Sequence, residues 1–338
     1  MKLVRNSEFN NSENNCQHFI YILYIRIIAK IVFMKHTISQ FLFSLLNQVS
    51  HLSWKNAFRL SDFLCWSVFG VIGYRKKVIR ENLRNSFPEK TDAELNCIEK
   101  NFCIHFTDLI VETIKFRSAS PECVRERLQG DISIMDKFYH DKTNIIFLMG
   151  HRGNWELANL FSSLCFKHEC IVVYRPLQNP ASDQWFLDLR TRFGAVLVPM
   201  DNIFKELQKP RDKPYVVVLA NDQSPNPKTA FWTKFLCQDT GVFRGVETIA
   251  RRYNLTVLYA DFSKVANQRG YYEVAISVIT ENPREVQNNV ILEKQLQILE
   301  KDIEQQPHNW LWSHRRWKHK RPQNLKPEQT LALRLPDL

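Results

Sequence analysis

Short apolar runs alternate with segments of helical periodicity through the middle of the chain. Six of the runs are rich in β-branched or aromatic residues and are mostly bounded by Gly, Pro, Asn or Asp, which indicates strands. The predicted strands are Asn144–Met149, Ile171–Tyr174, Ala195–Val198, Tyr215–Ala220, Leu255–Asp261 and Tyr271–Ile279. The predicted helices around them are Asn154–Phe166, Ser182–Phe193, Ile203–Leu207, Gly245–Tyr253 and Glu285–Gln305.

Two of these strands lack the alternation of a half-exposed sheet. Ile145–Met149 and Val216–Leu219 are apolar throughout, which is typical of strands covered on both faces. The pattern predicts an α/β fold with a mixed, largely parallel central sheet flanked by helices.

The residues before the sheet are predicted to be helical and to associate with a membrane. Apolar residues recur at helical spacing from Phe41 to Val49, and the aromatic-rich stretch Phe58–Tyr74 ends in a basic cluster that runs from Arg75 to Arg80. An apolar helix flanked by Lys and Arg is typical of a segment in the cytoplasmic face of a membrane. An ordinary buried helix pair with a solvated charged end is the alternative interpretation.

The N-terminus is predicted to be a dispensable or mis-assigned extension. Phe19–Phe33 is apolar but contains Arg26 and Lys30, it is shorter than the ~20 residues that span a bilayer, and no small-residue cleavage site follows it. Met34 precedes a new amphipathic segment and is a plausible start. The predicted parts are an extension over 1–33, a helical membrane-associating region over 34–117, an α/β domain over 118–325 and a tail over 326–338.

Composition narrows the class of protein and of partner. With 23 Phe, 8 Trp and 10 Tyr the chain is too aromatic to be disordered, and 9 Gly and 14 Pro exclude a collagen-like protein. A formal net charge of +11 predicts a polyanionic partner, which leaves nucleic acid, anionic lipid and an acidic carrier protein. The eight cysteines have no Cys-x-x-Cys spacing, so no zinc site or disulfide framework is predicted.

Aromatic and basic residues are interleaved near the C-terminus, from Trp310 to Arg321. Such a block suits either stacking on nucleic acid bases or a position in the headgroup layer of a membrane. Because the chain has no helix-turn-helix, RNP or zinc-finger signature, we predict no nucleic acid partner and favour an anionic membrane.

The segment Gly150–Leu157 follows the first predicted strand and contains His151 and Glu156. Five residues correspond to ~140° around a continuous helix, so the two side chains cannot share a helical face. The glycines permit a turn and Asn154 is a suitable N-cap, which puts His151 in a loop and Glu156 in the first helical turn. A bent loop then brings the Glu156 carboxylate against one imidazole nitrogen, as in an oriented general base.

Polar residues also follow two other predicted strands. Arg175 follows the second strand, and Asp222 and Gln223 follow the fourth, which places them at the same edge of a parallel sheet as His151. The chain has no Gly-x-Ser-x-Gly elbow, no cysteine beside His151, and no phosphate loop or dinucleotide fingerprint. A base at His151 is therefore expected to deprotonate a substrate hydroxyl directly. A surface salt bridge for Arg175 and a turn or cap role for Asp222 are the alternatives.

Several blocks along the chain carry a resemblance when they are taken together. They are His151–Glu156, Tyr174–Pro176 with Asn179–Pro180, Asp188–Gly194, Asp222–Gln223, Phe235–Thr240 with Gly245 and Ile249–Ala250, Trp310–Lys318, and Tyr74–Lys76 with Asn82–Leu83 and Phe87–Pro88. In this combination they resemble the lipid A late acyltransferases, within the lysophospholipid acyltransferase superfamily. The resemblance runs from about Met34 to Pro322, and it departs from the family at Arg152, where an aromatic residue is usual, and at Cys237, where Gly is common.

The resemblance implies an enzyme at the cytoplasmic side of the cell inner membrane. It would move a fatty acyl chain from acyl carrier protein to a hydroxyl of a lipid A precursor, with no metal or organic cofactor. His151 would act as the base and Glu156 would orient it. The implied oxyanion-stabilising or substrate-binding residues are Arg175, Asn154, Asp222 and Gln223.

Two other functions stay open at this point. One is a related acyltransferase that acts on another lipid, such as a glycerophospholipid, an aminolipid or a phosphoinositide mannoside, because the shape of a pocket decides the acceptor. The other is a non-catalytic, basic, membrane-bound adaptor in which His151 is structural.

Overall fold

The computed structural model describes residues 43–325, which belong to two compact units. The first unit is Met1–Val49, of which residues 43–49 are described and are helical. The second unit is Ser50–Leu338 and holds every element named below. The predicted extension over 1–33, the predicted start at Met34 and the predicted tail over 326–338 lie outside the described residues.

Helices precede the sheet in the described part of the second unit. They are α1 (Trp54–Cys65), a π-helical turn (Trp66–Val71), α2 (Lys76–Ser86), α3 (Asp92–Phe116) and α4 (Pro121–Arg127). α3 begins with a capping box, in which the Thr91 hydroxyl accepts from the Glu94 backbone N–H and the Glu94 carboxylate accepts from the Thr91 backbone N–H. Within residues 43–325, none of the helices combines the length and the apolar character that crossing a bilayer requires.

The central sheet of the described residues has seven strands: β1 (Leu128–Gln129), β2 (Ile145–Met149), β3 (Glu169–Tyr174), β4 (Val196–Pro199), β5 (Tyr215–Ala220), β8 (Thr256–Lys264) and β9 (Tyr272–Thr280). Their order across the sheet is β1-β9-β8-β2-β5-β3-β4. Every neighbouring pair is parallel except β8 and β9, which are antiparallel. The predicted mixed, largely parallel sheet is confirmed.

Helices also follow the strands and flank the sheet. They are α5 (Ser133–His140), α6 (Trp155–Cys165), α7 (Pro180–Arg190), α8 (Ile203–Glu206), α9 (Gly245–Tyr253) and α10 (Val290–Gln305), with 3-10 turns at Met200–Asn202 and Pro307–Asn309. β2 lies in the middle of the sheet and all of its residues are buried. Ile146 and Leu148 belong to the same core cluster as Leu299 of α10, whereas the Phe147 ring packs edge-to-face on Phe166 at 5.3 Å. The predicted coverage of this strand on both faces is confirmed.

A small antiparallel hairpin, β6 (Phe231–Phe235) and β7 (Gln238–Val242), was not predicted. Its two-residue turn consists of Leu236 and Cys237, whose φ angles are +48° and +61°. Two positive φ angles are what a type I′ turn requires, and Asn or Gly normally supplies them. Because neither residue type stands here, the sequence lacks the usual signal of a hairpin.

Candidate active site

Three neighbouring parallel strands end side by side at the candidate site. β2 pairs with β5 so that Met149 lies opposite Ala220, and β5 pairs with β3. His151, Asp222 and Arg175 follow the ends of β2, β5 and β3. The predicted convergence of these strand ends at one edge of the sheet is therefore found, at the position where open α/β sheets bind ligands.

The His151 imidazole is bound by Asp222. Nδ1 of His151 lies 2.5 Å from Oδ1 of Asp222, and the backbone N–H of His151 donates to Oδ2 at 2.7 Å. The indole N–H of Trp310 donates to the same Oδ2 at 2.8 Å. The Asp222 side chain is 2% exposed and that of His151 is 16% exposed, so the carboxylate is shielded while part of the imidazole reaches solvent.

The second ring nitrogen of His151 faces a side-chain amide. Nε2 of His151 lies 3.1 Å from Nε2 of Gln223, and the Trp155 ring stands edge-to-face on the imidazole with the centroids 5.1 Å apart. When Nδ1 carries the proton and donates it to Asp222, Nε2 holds a lone pair that accepts from the Gln223 amide. This is the tautomer that a general base needs at its outward nitrogen.

Glu156 has a different partner from the one predicted. Arg190 of α7 binds both of its carboxylate oxygens, with Nε 2.8 Å from Oε2 and Nη2 2.5 Å from Oε1. The predicted contact between Glu156 and His151 is wrong, and Asp222 occupies that place. The reason is geometric: α6 begins at Trp155 and so directs Glu156 toward α7, whereas the preceding loop carries His151 toward the end of β5.

Buried contacts fix the loop that carries His151. Asn154 caps α6 as predicted, since its Oδ1 accepts from the Leu157 N–H at 2.9 Å, and its Nδ2 donates to Glu112 of α3 at 2.8 Å. Gly153 has a φ of +60°, and a Cβ there would lie 2.1 Å from the Phe262 carbonyl oxygen. Asn154 is 1% exposed, and its side-chain oxygen and nitrogen both make contacts inside the protein that fix the loop.

Two arginines near the site lie in opposite environments. Arg175 is exposed and lies directly after β3. Arg152, beside the imidazole in the sequence, is buried and forms an ion pair with Asp261 of β8. Arg152, one of the two residues at which the sequence departs from the pattern that it resembles, therefore points into the protein.

The interleaved C-terminal block is packed into the core rather than spread over a surface. Trp310 and Trp312 are 2% and 0% exposed and their ring centroids lie 4.8 Å apart, while Arg316 donates to the Gly241 carbonyl at 2.7 Å. The prediction that this block lies in a headgroup layer is wrong for these three residues. The spacing of aromatic residues among cations is the same whether the rings face lipid or alternate between core and solvent. The exposed members of the block are Arg315, Lys318, Lys320 and Arg321.

The family model for the bacterial lipid A biosynthesis acyltransferases matches residues 26–319, which is most of the chain. The protein belongs to this family. The resemblance that the motifs indicated is confirmed, and the family assigns acyl transfer to a lipid acceptor. A search of curated proteins gives no significant match.

The charges around the site shift the proton affinities of both partners in this acyltransferase. Burial by itself lowers the pKa of His151, but the charge and hydrogen bond of Asp222, and after them the charge of Glu156, outweigh it and raise that pKa above its usual value. Burial by itself raises the pKa of Asp222, but His151 and the Trp310 N–H hold it well below its usual range. The carboxylate therefore stays ionised, and the imidazole is poised to take up a proton.

Sequence reasoning missed Arg190 and Trp310, which the family blocks contain without indicating what they contact. The signal that points to Arg190 is Glu156 itself, a carboxylate in the first turn of an otherwise apolar helix. Once such a carboxylate is buried, it needs a cation as its partner. No comparable signal points to Trp310. Among the described residues, no group of three or more His, Cys, Asp or Glu side chains is arranged to hold a metal ion.

Proposed function

We propose that this acyltransferase moves a fatty acyl chain from an acyl carrier protein thioester to a hydroxyl of a lipid A precursor, with His151 as general base. The observation that carries the proposal is the His151–Asp222 pair at the carboxyl ends of β2 and β5. Nδ1 of His151 is held by the buried carboxylate of Asp222, and Nε2 belongs to the same ring, which is partly exposed.

The proposed reaction needs no covalent enzyme intermediate. Nε2 of His151 takes the proton of the acceptor hydroxyl as the hydroxyl oxygen attacks the thioester carbonyl carbon. The tetrahedral intermediate then collapses, the carbon–sulfur bond breaks, and the leaving thiolate receives the proton from the imidazolium. Asp222 stabilises the imidazolium while it exists, which is the role that the motif His151–Glu156 led us to expect for Glu156.

The remaining polar groups suit an anionic transition state and anionic substrates. The Gln223 amide lies 3.1 Å from the reacting nitrogen and is a donor close to where the oxyanion forms. Exposed Arg175, at the next strand end, is proposed to steady the oxyanion or a phosphate of the acceptor. A net charge of +11 supports both an acidic carrier protein and a phosphorylated lipid as partners.

We also propose that the enzyme works on the cytoplasmic side of the inner membrane and that it contacts the bilayer through a membrane face near the end of α1. We define this face by Phe63, Trp66, Val71 and Ile72, which are 57%, 63%, 67% and 73% exposed. The Phe63 and Trp66 rings lie 5.8 Å apart, so the apolar surface is continuous there.

Cations border this membrane face. Trp66 lines one groove together with Lys76 and Lys100, and Lys77 is exposed beside them. Large exposed apolar side chains next to lysines are typical of a surface that enters an anionic bilayer. The face extends from the end of α1 through the π-helical turn to Ile72, which follows that turn, and it lies within the region for which the sequence predicted membrane association.

The test is acyl transfer by the purified full chain, with acyl carrier protein thioester as donor and a lipid A precursor as acceptor, followed by mass spectrometry of the product. We expect turnover in the wild type, its loss in His151→Ala, and wild-type turnover in His140→Ala, a control at an exposed histidine of α5. Turnover only with another lipid would replace the acceptor. Turnover that survives His151→Ala would overturn the role of the base, and lipid binding with no turnover would favour an adaptor.

The lipid A of a deletion strain tests the proposed acceptor in cells. A strain that lacks the gene is expected to make lipid A that misses a single acyl chain, because one acylation step is absent. An unchanged lipid A profile would point to a different lipid acceptor.

A further inference from the structure

One indole N–H connects residues 309–317, which we call the closing segment, to the site. Nε1 of Trp310 donates to Oδ2 of Asp222 at 2.8 Å, and the same oxygen accepts the backbone N–H of His151 at 2.7 Å. The other oxygen, Oδ1, faces Nδ1 of His151 at 2.5 Å. The Asp222 carboxylate is therefore held by donors from the loop after β2 and from the closing segment.

Trp310 is itself held rigidly. It is 2% exposed, and its ring stands edge-to-face on Trp312, Trp317 and Phe235 with centroid distances of 4.8, 5.9 and 5.9 Å. A buried aromatic ring packed on several sides has little rotational freedom, so its N–H points in a fixed direction.

The closing segment also binds the backbone of the His151 loop. Trp310 forms an isolated antiparallel bridge with Arg152, and the Asn309 carbonyl accepts from the Gly153 N–H at 3.1 Å. The same few residues thus contact both halves of the site, namely the loop that carries the imidazole and the carboxylate that binds it.

We infer that Trp310 is a positioning residue that holds the Asp222 carboxylate in line with the His151 imidazole. The inference rests on the proposed function, in which His151 acts as the base. A carboxylate rotates about its terminal side-chain bond unless both oxygens are engaged. The imidazole engages Oδ1, and the indole N–H shares Oδ2 with the backbone N–H of His151, so Trp310 supplies the side-chain donor on the oxygen that the imidazole does not use. Trp310, the tryptophan that donates a hydrogen bond to Asp222, then contributes to catalysis through that carboxylate.

The hydrogen bond also sets the proton affinity of the pair. A donor to an ionised carboxylate stabilises the charged form, so its removal raises the proton affinity of the coupled His151–Asp222 pair. The other charged or titratable groups that act on the pair are unchanged by a substitution at Trp310. These groups are Glu156, Arg190, Tyr259, His314 and Arg316.

The experiment compares Trp310→Phe with Trp312→Phe in the full chain. Both substitutions replace a buried indole by a smaller ring and delete one N–H, but the Trp312 N–H donates to the Pro307 carbonyl and not to Asp222. For Trp310→Phe we expect kcat to fall about tenfold at neutral pH, while KM stays within about twofold of the wild-type value. We also expect the acid limb of the kcat/KM profile to move up by about one pH unit, which is equivalent to a tenfold change in proton affinity. For Trp312→Phe the acid limb of the kcat/KM profile should stay at the wild-type pH, even if this substitution lowers the melting temperature.

A second measurement follows the imidazole without turnover. The titration of His151 is read from its ring signals in NMR spectra, which are assigned by their loss in His151→Gln. An upward shift in Trp310→Phe but not in Trp312→Phe supports the inference even if the proposed substrates are wrong. Wild-type titration and a wild-type pH profile in Trp310→Phe would overturn it, while loss of activity in His151→Ala would still support the proposed base.

Discussion

Arg190 binds the carboxylate of Glu156 at two points, with Nε 2.8 Å from Oε2 and Nη2 2.5 Å from Oε1. The Glu156 side chain is 5% exposed, so this charge is buried and is compensated by the guanidinium. The Glu156 carboxylate is thereby bound to α7, and within residues 43–325 the carboxylate found in contact with the His151 imidazole is that of Asp222. This division of roles makes a direct mutational test possible.

Asp222→Asn is expected to cost more activity than Glu156→Gln. The asparagine removes the charge that stabilises the imidazolium and permits the wrong tautomer, a change that costs about 10⁴-fold in the Ser-His-Asp triads. We expect a loss of about 10³-fold or more in kcat for Asp222→Asn. For Glu156→Gln, which leaves the His151–Asp222 contact intact, we expect about tenfold.

The measurement is kcat on samples whose folded fraction has been checked by circular dichroism, since Glu156→Gln also weakens a buried ion pair. Equal losses in the two variants would mean that Glu156 acts on the imidazole in spite of its contact with Arg190.

The pH dependence of kcat/KM should show the raised pKa of His151. The base must be neutral to accept a proton, so activity rises with pH through the pKa of the imidazole, which Asp222 and Glu156 hold above the usual value despite burial. In Asp222→Asn the opposing effect of burial dominates, and the acid limb should move to lower pH while the maximum rate falls. A limb that stays in place would show that another group titrates in it.

Gly153→Ala is expected to destabilise the protein more than Gly73→Ala. Both glycines have positive φ, +60° and +69°, so a side chain costs ~1–2 kcal/mol of backbone strain at either position. A Cβ at Gly153 would also lie 2.1 Å from the backbone oxygen of Phe262, whereas nothing lies within 4 Å of one at Gly73. Urea unfolding should show a free energy of unfolding lower by at least about 2 kcal/mol for Gly153→Ala than for Gly73→Ala. Similar values would mean that the loop adjusts at little cost.

Cys237→Gly is expected to stabilise the protein. Cys237 is exposed and has a φ of +61°, a conformation that costs a residue with a Cβ ~1–2 kcal/mol and glycine almost nothing. We expect a gain of about 1 kcal/mol in the free energy of unfolding. Cys97→Gly is the matched control, because exposed Cys97 lies inside α3, where glycine costs about 1 kcal/mol. A loss of stability in both variants would show that the turn is not strained.

The membrane face should bring Trp66 into contact with lipid chains. All eight tryptophans of the chain lie in the described residues, and of these Trp66 is the exposed one, so it dominates the accessible fluorescence. Vesicles that contain phosphatidylglycerol with brominated acyl chains should quench the wild type and Val278→Ser, a control at an exposed valine of β9, but hardly quench Trp66→Phe.

Binding strength gives a second readout of the membrane face. Trp66→Ser combined with Ile72→Ser should lower partitioning into the same vesicles by at least about tenfold, since each large apolar side chain contributes ~1.5–3 kcal/mol when it leaves water. Quenching that persists in Trp66→Phe, together with unchanged partitioning in the double variant, would exclude this face as the bilayer contact.

The sequence by itself determined the fold class and the place of the site. Unbroken apolar runs such as Ile145–Met149 depend only on burial on both faces, and polar residues after such runs must gather where parallel strands end, so His151, Asp222 and Arg175 were expected at one edge of the sheet. The glycines of Gly150–Leu157 likewise indicated a turn after β2, and the preference of asparagine for helix N-caps indicated that Asn154 caps the helix that follows.

Only the tertiary structure decided which carboxylate meets His151, that the C-terminal tryptophans are buried, and that Leu236–Cys237 forms a hairpin turn. Each depends on contacts between residues far apart in the chain. Asp222 lies next to His151 because β2 and β5 are neighbours, and Glu156 lies next to Arg190 because α6 and α7 pack together. Local spacing indicates which residues are close along the chain, whereas the order of strands and the packing of helices decide which charges come within hydrogen-bonding distance.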